Sequence, residues 1–252
     1  MIWRAKRNLI FLMGFVCCAS ASAQSPDHAR EKRWAAEVTP GLVVGDAITL
    51  TQADGHRFLA LHTANASARA GVVVVHGMGV HPDFGAIGEL RALLADRGYA
   101  TLSIQMPVLA SDAPAEGYPE LFPEAGERID AALAWIRAKE KGRIAIVSHS
   151  MGARMALDYV KRHPDAPLAA WVSLPISDGE LADLPRTAFP VFDVYAEKDF
   201  PAVLANRERR AAALRGMSGS KQVMVFGADH FFAGKEKELS MLLADLLAPT
   251  MK

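Results

Sequence analysis

Residues 144–157, Ile-Ala-Ile-Val-Ser-His-Ser-Met-Gly-Ala-Arg-Met-Ala-Leu, leave no room for a loop. A short apolar stretch breaks at Ser148-His149-Ser150 and passes straight into an alanine-containing helical pattern that begins at Met151. A strand that becomes a helix within one residue forces the junction residue, Ser150, into a sharp, strained turn. Its hydroxyl is then exposed, with the positive end of the helix behind it. The two backbones approach closely there, so the neighbours must be small, and Ser148 and Gly152 stand two positions to either side. A plainer reading competes: serine is a common N-cap, and Ser150 would then only close a helix terminus.

The same strand-then-helix rhythm runs through the chain. Ala47–Thr51 and Arg57–His62 flank Asp54-Gly55 and predict an edge hairpin. Val72–Val75 is a continuous β-branched run, as expected of a strand buried on both faces. Further strands are expected at Ala100, Leu168–Leu174, Pro190–Ala196 and Val223–Phe226. Helices are expected over Gly85–Arg97, Phe122–Ala138, the segment after Ser150, Ala202–Leu214 and Lys235–Leu247. This alternation predicts an α/β architecture: a mostly parallel central sheet, an N-terminal antiparallel hairpin and helices on both faces. The intervals are too short for a cap domain. Residues 46–252 then form one catalytic domain, and 24–45 a polar N-terminal extension with a short helix around Arg30–Ala36 and no part in the chemistry. In such sheets ligands sit beyond the strand C-termini. The proline-broken stretch Val108–Leu121 starts at one of these ends and is either a wall of the substrate site or a solvated connector.

Chemistry follows from what Ser150 lacks. A serine hydroxyl is a poor nucleophile at neutral pH and needs a base to take its proton; that base needs an acid to orient it. His230 follows the Val223–Phe226 strand and Asp199 follows the Pro190–Ala196 strand, both at the expected ligand edge. Asp178, after the preceding strand, is a rival acid. Asp229 is anchored beside His230 and points elsewhere, and Asp193 lies within its strand. His76 and His149 have plainer roles as hydrogen-bonded packing residues, while His81 either lines the pocket or belongs to a turn. Phe84, Phe200, Phe231 and Phe232 lie near the same loops and form either an apolar pocket or ordinary core.

Three segments carry a resemblance to a known family. The region from about Ile48 to Leu247 resembles the α/β-hydrolases, which use the chain order Ser, Asp, His found here. His76–Asp83, Ala100–Pro107 and Ser148–Arg154 are similar to a bacterial envelope branch, DUF3530. The resemblance implies an oxyanion hole made by two backbone N–H groups, one from Met151 after the nucleophile and one from Met78 in the loop after Val75.

Other chemistries lack their signatures. Gly77-Met78-Gly79 is only a fragment of a dinucleotide fingerprint, and no P-loop lysine exists, so no cofactor is implied. His76, His81 and Asp83 do not offer a convincing set of convergent zinc ligands, so no metal is expected. Twenty-eight basic and 28 acidic residues give a formal net charge of zero, which disfavours nucleic acid as a partner. The first residues carry a separate message: a basic head at Arg4-Ala5-Lys6-Arg7, an apolar stretch from Leu9 to Cys18, and the tail Ala19-Ser20-Ala21-Ser22-Ala23. This predicts a signal peptide, residues 1–23, cut after Ala23, with no stable membrane insertion once it is removed and a periplasmic or secreted destination. Both cysteines, Cys17 and Cys18, leave with it.

The expectation is a secreted serine hydrolase, a carboxylesterase acting on a small-molecule acyl substrate through an acyl-enzyme. An acyltransferase with the same triad, or a non-catalytic envelope binding protein on the same fold, are the alternatives. The sequence sets no oligomeric state.

Overall fold

The computed structural model describes residues 24–68, 70–140, 142–176 and 179–251. Among these residues eight strands form one sheet: β1 (Asp46–Thr51), β2 (Arg57–Thr63), β3 (Ala70–Val75), β4 (Ala100–Ile104), β5 (Arg143–His149), β6 (Ala170–Leu174), β7 (Val191–Lys198) and β8 (Lys221–Asp229). Their order across the sheet is β1-β2-β4-β3-β5-β6-β7-β8. The pairs β1–β2 and β2–β4 are antiparallel, and all others are parallel.

The helices are α1 (His28–Val38), α2 (Gly85–Asp96), α3 (Phe122–Lys139), α4 (Met151–Arg162), α5 (Pro201–Ala205), α6 (Arg207–Leu214) and α7 (Glu236–Leu247). The alternation along β3 sets the layers. Val73 and Val75 pack with Leu133, Ile136, Met155 and Leu157 of α3 and α4, whereas Val72 and Val74 pack with Leu90, Leu94, Leu243 and Leu247 of α2 and α7. Every residue of β3, β4 and β6 is buried, as a parallel strand covered on both faces requires. None of the helices is long and apolar enough to cross a membrane, among the described residues.

The helix expected over Ala202–Leu214 is two helices. Asn206 lies between them with φ −99° and ψ 4°, and its side-chain amide donates to the Ala202 carbonyl at 3.0 Å, competing with the backbone ladder. The stretch 108–121 is neither an open loop nor a wall of the site. Val108 and Leu109 are buried, residues Ala115–Leu121 form a 3-10 helix, and α1 packs over the start of the stretch. The signal-peptide prediction, residues 1–23, and the rival acid Asp178 lie outside the described residues.

Candidate active site

Strand β5 and helix α4 meet at Ser150, whose backbone takes φ 54° and ψ −121°. Positive φ is uncommon for a residue with a side chain and is sustained here by the surrounding structure. The Ser150 N–H is tied to the Leu174 carbonyl at 3.1 Å, and the Ser150 carbonyl accepts from Ala153 and Arg154. Ser150 occupies the N-cap position, yet its side chain makes no capping bond, so the N-cap reading fails. The hydroxyl instead lies 3.0 Å from Nε2 of His230.

The small flanking residues have separate reasons. A β-carbon at Gly152 would stand 2.1 Å from the His76 carbonyl oxygen, so α4 and the end of β3 touch at that point. Ser148 does more than save space: its buried Oγ accepts the indole N–H of Trp171 at 2.8 Å. A glycine there would leave that donor unpaired, which no local sequence signal revealed.

His230 follows β8, and its Nδ1 lies 2.7 Å from Oδ1 of Asp199. Asp199 follows β7 after an irregular register between Ala196 and Lys198. Its carboxylate is buried and well supplied with donors: Oδ2 accepts from the Ala196 N–H at 3.0 Å and Oδ1 from the Phe200 N–H at 2.8 Å. Because Asp199 offers only acceptors, the proton of neutral His230 belongs on Nδ1, leaving the Nε2 lone pair facing the serine hydroxyl. The Phe200 ring stacks on the imidazole at 4.0 Å with 19° between planes, and Phe231 meets it edge-on at 5.3 Å. The rival acids are engaged elsewhere. Asp229 accepts from the N–H groups of Phe231 and Ala233 in its own turn, and Asp193 pairs with buried Arg210 at 2.9 Å.

His76 is fully buried and His149 half-buried on the cavity wall, and desolvation lowers both from the ordinary imidazole value, to about 3 and about 4 respectively. His149 Nε2–H donates to the His230 carbonyl at 2.9 Å. His76 has its tautomer fixed from both ends: Nε2 accepts the Met106 N–H at 2.9 Å, so Nδ1 carries the proton and donates to the Gly77 carbonyl at 2.8 Å. In a trans peptide C=O and N–H point in opposite directions, so holding the Gly77 oxygen also fixes where the Met78 N–H points. This loop lies against Ser150, since a β-carbon at Gly77 would be 3.4 Å from Ser150 Cβ. Met151 opens α4, where the first N–H groups have no intrahelical acceptor.

A cavity of about 540 Å³ opens beside Ser150 and His230. Phe84, Ile87 and Leu90 from the start of α2, with Leu174, Phe200, Phe231 and Phe232, make its apolar walls, so the four phenylalanines that the sequence left as either pocket or core line it. Residues 108–121 do not line it, nor does His81, which sits in a turn where its carbonyl accepts the Phe84 N–H at 3.1 Å. Glu236 is its one carboxylate, and neither lysine nor arginine lines it, among the described residues.

Metal ligands were not expected at His76, His81 and Asp83, and these residues have other partners: Met106 and Gly77 for His76, Arg91 for Asp83. His28, Glu31 and His56 form one cluster with ligand-like spacing. There the two imidazoles stack at 3.8 Å, His28 Nε2 lies 3.0 Å from Glu124 Oε1, and Arg128 occupies the Glu31 carboxylate at 2.9 Å. The cluster shares no residue with the cavity at Ser150.

Comparison with known proteins identifies the fold. Residues 72–249 match the alpha/beta hydrolase family, and residues 17–125 match a family described as a protein of unknown function, DUF3530. No curated protein matches the sequence. Among solved structures, the dienelactone hydrolase of Anabaena variabilis superposes with a TM-score of 0.66 at 19% identity, over 82% of this chain and 97% of its own. A lidless α/β serine hydrolase of Xanthomonas campestris gives 0.62 at 15% identity, over 83% and 96%. An esterase of Pyrococcus furiosus gives 0.59 at 15%, over 82% and 93%. With a family match spanning most of the sheet and all of α2 to α7, this chain belongs to the alpha/beta hydrolase family.

Proposed function

We propose that this protein is a serine hydrolase that cleaves uncharged carboxylic esters through an acyl-enzyme. The observation that carries the reading is the continuous chain Asp199–His230–Ser150, with contacts of 2.7 and 3.0 Å, ending on a serine held at positive φ. His230 Nε2 takes the hydroxyl proton as Ser150 Oγ attacks the acyl carbon, and Asp199 stabilises the imidazolium that forms. The Met78 and Met151 N–H groups receive the developing oxyanion. His230 then returns the proton to the leaving alcohol, and a water molecule activated by the same imidazole releases the acid.

The apolar walls support an apolar acyl group, and Glu236 disfavours a carboxylate at the far end of the chain. No cap element covers the cavity among the described residues, which supports acyl groups of short or moderate length in solution. The basic head, apolar stretch and small-residue tail of residues 1–23 support export to the periplasm or beyond, with a mature N-terminus at Gln24 that mass spectrometry of the exported protein would read directly.

A fluorophosphonate probe should label Ser150 and fail to label Ser150→Ala, and p-nitrophenyl esters of graded acyl length should give turnover that the same substitution abolishes. A folded wild-type protein that neither labels nor turns over any of these esters would sink the reading.

A further inference from the structure

The segment ahead of β1 is built into the same edge of the sheet as the catalytic groups. The Asp27 N–H donates to the Val108 carbonyl at 2.7 Å, and the Asp27 carboxylate caps α1 by accepting the Arg30 N–H at 2.8 Å. Glu31, one residue on, is buried and accepts the Val108 N–H while pairing with the fully buried Arg128. With its helix fixed in this way, the Arg30 guanidinium reaches two loops at once. Nη1–H donates to the Leu109 carbonyl at 2.9 Å, and Nη2–H to the Gly79 carbonyl at 3.1 Å. Trp34, one turn later on α1, faces the guanidinium at 4.5 Å and meets His81 edge-on at 5.9 Å.

Gly79 follows Met78, the oxyanion donor of the proposed mechanism, and Gly77 precedes it. Glycine on both sides makes this loop expensive to order, because glycine loses more conformational freedom than any other residue, and Gly79 itself sits at φ 67°. Side chains meet that cost from opposite ends, and the buried Tyr118 hydroxyl also bonds the Gly79 backbone. His76 holds the Gly77 carbonyl from inside the sheet, and Arg30 holds the Gly79 carbonyl from outside it. A planar guanidinium can bridge two carbonyls in one fixed geometry, which an ammonium on a flexible stem does not do.

We infer that α1 is a working part of the active site and that Arg30 is a positioning residue, holding the oxyanion loop through the Gly79 carbonyl. The catalytic half of this inference rests on the hydrolase reading above; the structural half does not.

The test compares wild type, Arg30→Ala and Arg30→Lys in the intact protein, with three readouts: kcat and KM on p-nitrophenyl butyrate, inhibition by a trifluoromethyl ketone, and hydrogen exchange of the peptide covering residues 76–84. Outright loss of an oxyanion donor costs ~10²–10³ in kcat, so loosening one should cost roughly ten- to a hundredfold, with KM within about twofold. The ketone, whose tetrahedral adduct needs the oxyanion hole, should weaken in parallel, and loop exchange should rise about tenfold or more. Arg30→Lys, which keeps the charge and the stem, should fall by a smaller factor in the same direction and carries the test if Arg30→Ala does not fold. Unchanged loop exchange in a folded variant overturns the inference, and so does faster exchange with kcat within twofold of wild type. If the wild type itself turns over no ester and Ser150 does not label, the hydrolase reading fails, and loop exchange alone still decides whether Arg30 holds the loop.

Discussion

Gly152→Ala is a one-carbon change whose effect is set by what the carbon meets. A β-carbon there would lie 2.1 Å from the His76 carbonyl oxygen and 2.9 Å from Val75 Cγ1. Relief to ordinary contact requires α4 and the end of β3 to separate by about 1 Å, since neither obstacle is the free end of a flexible side chain. Overpacking of this kind costs ~1–3 kcal/mol and occasionally more, and a backbone obstacle places it at the upper end. Alanine recovers up to ~1 kcal/mol of helix propensity, leaving a net loss of about 2–3 kcal/mol, or roughly 4–12 °C in Tm for a chain of this size. The kinetic cost is larger. His76 holds the Gly77–Met78 peptide and α4 carries the Met151 N–H, so the same separation moves the two proposed oxyanion donors apart. A displacement near 1 Å costs ~10² in rate. Gly126→Ala in α3 is the matched control. The three atoms nearest its β-carbon all belong to the guanidinium of Arg162, a half-exposed side chain that can swing away, so it should be neutral or stabilising by up to ~1 kcal/mol. Urea denaturation and steady-state kinetics on both variants decide the matter. Gly152→Ala matching Gly126→Ala in midpoint, with kcat within threefold of wild type, would refute the close-contact reasoning.

Asp199→Asn should fold normally yet lower kcat by ~10⁴, because an amide can donate to Nδ1 and stabilise the wrong imidazole tautomer, whereas Asp229→Asn should stay within a few-fold; equal losses in a p-nitrophenyl ester assay would mean the wrong acid has been named. Acid should destabilise the fold through two histidines that folding desolvates, the buried His76 and the half-buried His149. An unfolded histidine binds its proton near pH 6.5, whereas His149 and His76 stay neutral down to about 4 and about 3, so the unfolded chain holds more protons in that window and stability falls as pH drops through it. Each contributes a slope of roughly 1.4 kcal/mol per pH unit, and urea titrations between pH 7 and 4.5 should show a shallower decline for His149→Gln than for wild type; parallel declines would contradict the assignment. Glu236→Gln should raise kcat/KM for a hemisuccinate ester relative to the neutral butyrate ester by several-fold, and an unchanged ratio would remove Glu236 from acyl selection.

Which parts of this molecule were legible in its sequence depends on how far apart the interacting residues stand. The β5–Ser150–α4 junction is encoded within about a dozen consecutive residues, and the buried run of β3 announces itself by β-branched continuity, so pattern alone located them. Asp199 and His230 each terminate a readable strand, although the contacts that join Asp199 to His230 and His230 to Ser150 span 31 and 80 residues of chain. The walls of the cavity were only partly legible. The four phenylalanines read as either pocket or ordinary core, the stretch 108–121, assigned as either wall or connector, is taken up by α1, and the remaining wall comes from Ile87 and Leu90 of α2, whose apolar residues read equally well as ordinary core. The N-terminal segment was set aside as an extension without chemistry because it is polar and proline-bearing. Its attachment runs through Arg30 to Gly79 and Leu109, 49 and 79 residues away, and through a buried Glu31 that composition alone assigns to the surface. A polar segment can be bound as firmly as an apolar one when its charges find acceptors on ordered loops, and such pairings carry no periodicity. Local pattern therefore locates Ser150, Asp199 and His230 at their strand ends, whereas the polar contacts proposed to hold the loop beside them come from residues far away in the chain.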